Sequence, residues 1–185
     1  MKRIIFFIIV AVMTAAASAA AIDISADQQY LLLATTKTST MEKELSEAAN
    51  QGFRVVACST TSGTEMVSFL ERIATPPDIY RYKLLATSRT GTMQKELNEA
   101  AEQGFRLVPK SIIAKQQLMG GTEIVALLEC SPLGTKRYEY KLLATVRTST
   151  LQKEAREAKA AGFIIVGMVS RDEHMVILER ESQLK

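Results

Sequence analysis

Apolar and polar residues alternate with period two in three places along the chain. Around position 84, Tyr80, Tyr82, Leu84 and Ala86 fall on one side, and Arg81, Lys83, Leu85 and Thr87 on the other. Tyr138, Tyr140, Leu142 and Ala144 repeat this with Glu139 and Lys141 opposite, and Tyr30 to Thr35 is an earlier copy. Strict alternation with one apolar face predicts a half-buried strand. The period then changes. Met41, Leu45, Ala48 and Ala49 form a stripe at helical spacing, as do Met93, Leu97, Ala100 and Ala101. Ser39 stands three residues before Glu42, and Ser149 three before Gln152, which predicts capping boxes; Gly91 before Gln94 is a weaker version. Gly52, Gly104 and Gly162 fall where a helix ends in a left-handed residue. The Phe after each Gly starts a second strand, with Phe53, Val55 and Ala57 sharing a face. A third strand covers Glu65 to Arg72, Glu123 to Cys130 and Glu173 to Arg180.

The Gly-Phe pairs are separated by 52 (104 − 52) and 58 (162 − 104) residues, so one supersecondary unit is used three times. The units span 28–72, 80–130 and 138–180, each read as β-α-β-β. The second is longer because of an insertion between its last two strands, Lys110 to Gly121, ending in Gly120-Gly121. Pro76-Pro77 and Pro132-Leu133-Gly134 mark the linkers. Units of roughly 45 residues are near the lower limit for independent stability, so the three are expected to pack on one another. The expected class is α+β: three tandem β-α-β-β repeats forming a mixed or antiparallel sheet with helices on one face. The first crossover is expected to be right-handed. The third strand lies either between the first two or outside them; the inserted position is preferred, but the sequence does not decide it. The pattern leaves open whether the strands form one continuous sheet or a pseudo-threefold ring.

Tyr82-Lys83-Leu84, Glu96-Leu97-Asn98-Glu99, Gly104-Phe105 and Leu178-Glu179-Arg180 carry a resemblance. Each unit resembles, over nearly its whole length, the bacterial domain-of-unknown-function family 4177. The resemblance implies the β-α-β-β fold and brings no activity, ligand or catalytic residue. The chain departs from that pattern in having Phe where Trp is usual, and it contains no Trp.

Composition narrows the function classes. Of 185 residues, 47% are hydrophobic and 23% charged, as in a globular chain. The N-terminus reads as a signal peptide over 1–21: Lys2 and Arg3, an apolar run from Ile4 to Val12, then small residues with a cleavage pattern such as Ala17-Ser18-Ala19. A periplasmic or secreted location follows as an expectation, with no membrane span after cleavage; the alternative is an uncleaved anchor, since the low-polarity run extends to Ile22, about long enough to span. Removing Lys2 and Arg3 from the 23 basic residues leaves 21 against 20 acidic ones, a balance that gives no electrostatic case for nucleic acid. Cys58 and Cys130 each occur in one unit only, which argues against a metal or redox site built into the repeat. They read as a staple between units one and two, as two buried free thiols or, less readily, as a functional thiol.

The recurrent candidate chemistry is a basic residue, Thr, a small residue and Thr at each helix start. It comprises Lys37, Thr38 and Thr40; Arg89, Thr90 and Thr92; and Arg147, Thr148 and Thr150. A helix N-terminus with hydroxyls and a cation suits a small anion, although the same residues also suit plain capping. Lys43, Lys95 and Lys153, each four before Glu47, Glu99 and Glu157, read as surface pairs. His174 is the only histidine, so a repeated metal or triad site is excluded. No phosphate loop, dinucleotide fingerprint or nucleophile elbow occurs. The expected function is an exported, non-enzymatic module, without cofactor, that binds a protein or envelope component; a homo-oligomer is compatible with this. The alternatives are an anion binder using the helix starts and an enzyme using the unit-two insertion as a lid.

Overall fold

A computed structural model describes residues 24–61, 63–73, 79–109, 111–117 and 120–182. The leader, Pro76-Pro77 and Lys110 lie outside the described residues. Unit one comprises β1 (Tyr30–Thr35), α1 (Thr38–Asn50), β2 (Phe53–Thr60) and β3 (Met66–Arg72). Unit two comprises β4 (Arg81–Thr87), α2 (Thr90–Glu102), β5 (Arg106–Leu107), β6 (Ile113–Gln116) and β7 (Thr122–Cys130). Unit three comprises β8 (Tyr138–Thr145), α3 (Thr148–Ala160), β9 (Ile164–Ser170) and β10 (His174–Glu181).

The fold is α+β, and each unit has its own sheet. The orders are β1-β3-β2, β4-β7-β5 and β8-β10-β9, so the last strand of every unit lies between the first two, as its apolar run favours. All pairings are antiparallel. There is no continuous sheet among the described residues. The three sheets are joined face to helix instead.

Each helix forms because its stripe finds a floor. Met41, Leu45, Ala48 and Ala49 are buried in α1, and Met93, Leu97, Ala100 and Ala101 in α2. Gly52, Gly104 and Gly162 end the helices at φ of 85°, 89° and 87°, where a Cβ would be strained. The helix starts differ from expectation. The N-cap residues are Lys37, Arg89 and Arg147, and none makes a side-chain cap. Thr35, Thr87 and Thr145 accept the N–H of those residues on Oγ1 at 3.3, 3.1 and 3.1 Å. The turn thus belongs to the end of the strand, and Ser39, Gly91 and Ser149 fall inside the first turn.

The faces of the first strands also need correction. Leu31 and Leu33 face α1, whereas the Tyr82, Leu84 and Ala86 face of β4 turns away from its own helix and packs on unit one. Its other face carries Leu85 onto α2. Tyr140 and Leu142 likewise pack on unit two, and Leu143 on α3. The first strands of units two and three, β4 and β8, therefore carry core residues on both faces. Alternation reveals an apolar face but not which neighbour it meets. The layers run sheet, helix, sheet, helix, sheet, helix.

A bulge after Val55 breaks the alternation in β2, so Ala57 is exposed instead of sharing the inward face of Phe53 and Val55. Unit three has a bulge at the corresponding place, between the Ile165 and Gly167 pairings. Unit two places its insertion there, splitting the second strand into β5 and β6. The described part of the insertion is a packed strand: β6 pairs with β7, and Ile112 is buried in the core between units two and three. Lys115 on β6 pairs with Glu123 at 2.7 Å and donates to the carbonyl of Thr36 at 2.9 Å, tying the insertion to unit one.

Gly167 makes room for this arrangement, since a Cβ there would lie 2.0 Å from Cδ1 of Ile112 and 3.2 Å from its Cγ1. Gly167→Ala is expected to cost about 1–3 kcal/mol by overpacking. Urea unfolding of Gly167→Ala, Ile112→Ala and the double variant should show the glycine penalty shrinking when Ile112 is absent; simple additivity would contradict the contact.

Candidate functional site

The two junctions between units repeat one set of contacts, and the ends of the stack carry the same positions without a neighbour. At the first junction, the N–H of Val55 donates to the Tyr82 hydroxyl at 3.0 Å, and the N–H of Leu84 to Oε2 of Glu42 at 2.7 Å. Arg54 grips Glu129 through Nε at 3.1 Å and Nη2, with its guanidinium 4.4 Å from the centre of the Tyr80 ring. At the second, the N–H of Leu107 donates to the Tyr140 hydroxyl at 2.8 Å, and the N–H of Leu142 to Oε1 of Gln94 at 2.9 Å. Arg106 holds both oxygens of Glu179 at 2.7–3.1 Å and lies 4.2 Å from the centre of the Tyr138 ring. Tyr140 also donates to Glu179 at 2.8 Å, and Asn98 bonds both the N–H and the carbonyl of Tyr140. Glu42 and Gln94, expected to close capping boxes, instead reach from the helix to the edge strand of the next sheet. That occupies backbone donors which an open strand edge would leave free.

Among the described residues, no unit covers the outer face of the first sheet. Tyr30 and Leu32 are 55% and 58% exposed, whereas Tyr82 and Tyr140, which share the position of Tyr30, are 5% and 2% exposed. Val56 and Phe69 are exposed on the same sheet, and the Phe69 ring centre lies 5.6 Å from that of Tyr30. Among the described residues, no further sheet covers the outer side of α3 and β9. Ile165 is 60% exposed, while Val55 and Leu107 at the same position are buried, and Ile164 and Met168 beside it are also exposed. Between α3 and β9 runs a groove of about 390 Å³, with Ala155, Phe163, Ile164, Ile165 and Leu178 along it and Gln152, Arg156 and Lys159 at its border.

The nine residues at the helix starts are distributed one set per unit and do not converge. At α2 the place is already taken by an internal carboxylate, because Thr90 Oγ1 donates to Oε1 of Glu173 at 3.1 Å. At α1, Lys115, which pairs with Glu123, donates to the carbonyl of Thr36 in the preceding turn. Lys37, Thr38 and Thr40, and Arg147, Thr148 and Thr150, sit at the starts of α1 and α3. The Lys43–Glu47, Lys95–Glu99 and Lys153–Glu157 pairs form at 3.8, 3.7 and 4.0 Å on exposed helix faces. Cys58 and Cys130 are free thiols. Cys58 lies opposite Ser68 on β2, and Cys130 ends β7 against Arg81, so they occupy opposite ends of their sheets. Burial pushes the Cys58 thiol up, away from an activated thiolate. His174 hydrogen-bonds Ser170 through Nδ1 at 3.0 Å. No group of three or more His, Cys, Asp or Glu residues that could hold a metal is present among the described residues.

Arg54, Arg106, Glu129 and Glu179 were not recognised from the pattern. Their signal was available: an Arg follows Gly-Phe in units one and two but is Ile164 in unit three, and Leu-Glu ends all three units. No family model, curated protein or solved structure matches the chain.

Arg106→Ala leaves Glu179 buried without its cation and is expected to cost about 2–3 kcal/mol, less than a fully buried pair because the Arg is half-exposed. Lys43→Ala should change stability by under about 0.5 kcal/mol. Equal effects in urea unfolding would contradict the distinction. Burial pushes both the Tyr82 and Tyr140 hydroxyls up, with Glu129 and Glu179 adding to it. The unfolded chain loses these protons near pH 10, before the fold does, so stability is fully present below about pH 10 and falls above it. Alkaline unfolding of the Tyr82→Phe and Tyr140→Phe double variant should show a shallower loss than the wild type; parallel curves would count against buried tyrosines.

Proposed function

We propose that the chain is an exported, non-enzymatic interaction module that binds a protein or envelope component through the ends of its stack. The observation that carries this reading is the exposed apolar face of the first sheet. Tyr30, Leu32, Val56 and Phe69 are exposed there, at positions that become interface residues in the next two units. With Ile164, Ile165 and Met168 at the other end, these account for seven of the ten large hydrophobic side chains exposed among the described residues. Apolar surface gathered in patches marks a binding surface, whereas scattered residues do not. No helix among the described residues is long and apolar enough to cross a membrane. The leader pattern supports export to the periplasm or medium.

A photo-crosslinking residue placed at Leu32 should capture a protein or envelope component in the exported fraction of the native host. The same residue at Glu102, exposed on α2, should not. Equal background from both positions would overturn the reading.

A further inference from the structure

This inference rests on the reading above and names the partner. We propose that the open sheet of unit one docks on α3 and β9 of a second copy of the chain, so that the stack continues head to tail between molecules. The two internal junctions supply the geometry. Tyr30, Leu32, Val56 and Phe69 stand at the positions of Tyr82, Leu84, Val108 and Leu127, and of Tyr140, Leu142, Val166 and Ile177. Every one of those counterparts is packed in a junction core.

The receiving end keeps the matching groups. Gln152 occupies the place of Glu42 and Gln94, whose oxygens accept the N–H of Leu84 and Leu142; Leu32 supplies the equivalent donor. Ile165 occupies the place of Val55 and Leu107, whose N–H groups donate to the Tyr82 and Tyr140 hydroxyls; Tyr30 supplies the equivalent hydroxyl. Ala155 replaces Leu45 and Leu97, which widens the apolar groove that an incoming sheet would cover.

The charges are rearranged in a complementary way. Ile164 replaces Arg54 and Arg106, so the strand offers no cation to Glu71, the counterpart of Glu129 and Glu179. Arg156 and Lys159 on α3 replace Ser46 and Ala49 and bring two cations to the groove border. A contact between different patches of one chain is heterologous, so it closes into a ring or extends as a fibre.

Leu32→Asp blocks the head and Ile165→Asp the tail, and both side chains are exposed within the single chain, so each variant should remain folded by circular dichroism. In sedimentation velocity the wild type should run as a dimer or larger species and each variant alone as a monomer. A one-to-one mixture of the variants keeps one good head and one good tail, so its mass should double and stop at the dimer. A monomeric wild type, self-association that survives either substitution, or a monomeric mixture would each overturn the proposal. In those cases a crosslink from position 32 to a different protein or to an amphiphile would leave the interaction-module reading standing, whereas no crosslink would remove both.

Discussion

The structure depends on covering the helix-free face of a three-stranded sheet. A sheet with a helix on one side buries only that side, and the other must meet another layer or water. In units two and three this face carries Tyr, Leu and Val side chains and closes over the helix of the unit before it. The helices α1 and α2 are each thereby enclosed between two sheets. Leu45 and Leu97 are fully buried for this reason, and an Ala at either place would cost about 2–5 kcal/mol. No single unit has a second layer of its own for both faces, so the repeat acquires its core by stacking.

Polar contacts then fix how the layers meet. Apolar faces alone would allow one sheet to slide on the next helix. The tyrosine hydroxyl that receives one particular peptide N–H, and the Arg that grips a carboxylate beside it, each fit one position. Burial raises the Tyr82 and Tyr140 hydroxyls and holds them as neutral groups next to Glu129 and Glu179. Hydrogen bonding to Glu129 and Glu179 raises Arg54 and Arg106 further into their charged form. The rows of contacts at the two junctions meet along one cleft, lined by Arg54, Tyr80, Arg106, Glu129 and Tyr138 among others. This lets two junctions with different helix residues, Glu42 in one and Gln94 with Asn98 in the other, keep the same geometry.

Much of the fold was legible because it is local. Period-two strands, the Met-Leu-Ala-Ala stripes and the Gly that ends each helix are set by neighbours in sequence. The position of the last strand was not fixed by the sequence, and the structure places it in the middle of each sheet. What was not legible is what one unit does to another. Glu42 looks like the partner of Ser39, yet it serves Leu84, forty-two residues away. The alternation at Tyr82 looks like that of a half-buried strand, yet β4 meets α1 on its Tyr82 face and α2 through Leu85. The insertion has the glycines of a hinge, yet Ile112 and Lys115 anchor it between units. The candidate surface was hidden for the same reason. Tyr30 and Tyr82 read alike in the sequence, and they differ only in whether a unit stands before them.

Amide hydrogen exchange on dilute protein tests the stacked arrangement most directly. The amides of Val55 and Leu107, held by tyrosine hydroxyls, and those of Leu84 and Leu142, held by Glu42 and Gln94, should exchange only when the stack opens. The amides of Ile165 and Leu32, at the same positions on the two open ends, should exchange orders of magnitude faster. Val55 and Leu107 exchanging as fast as Ile165 would contradict the account, because the units would then not be packed on one another as described.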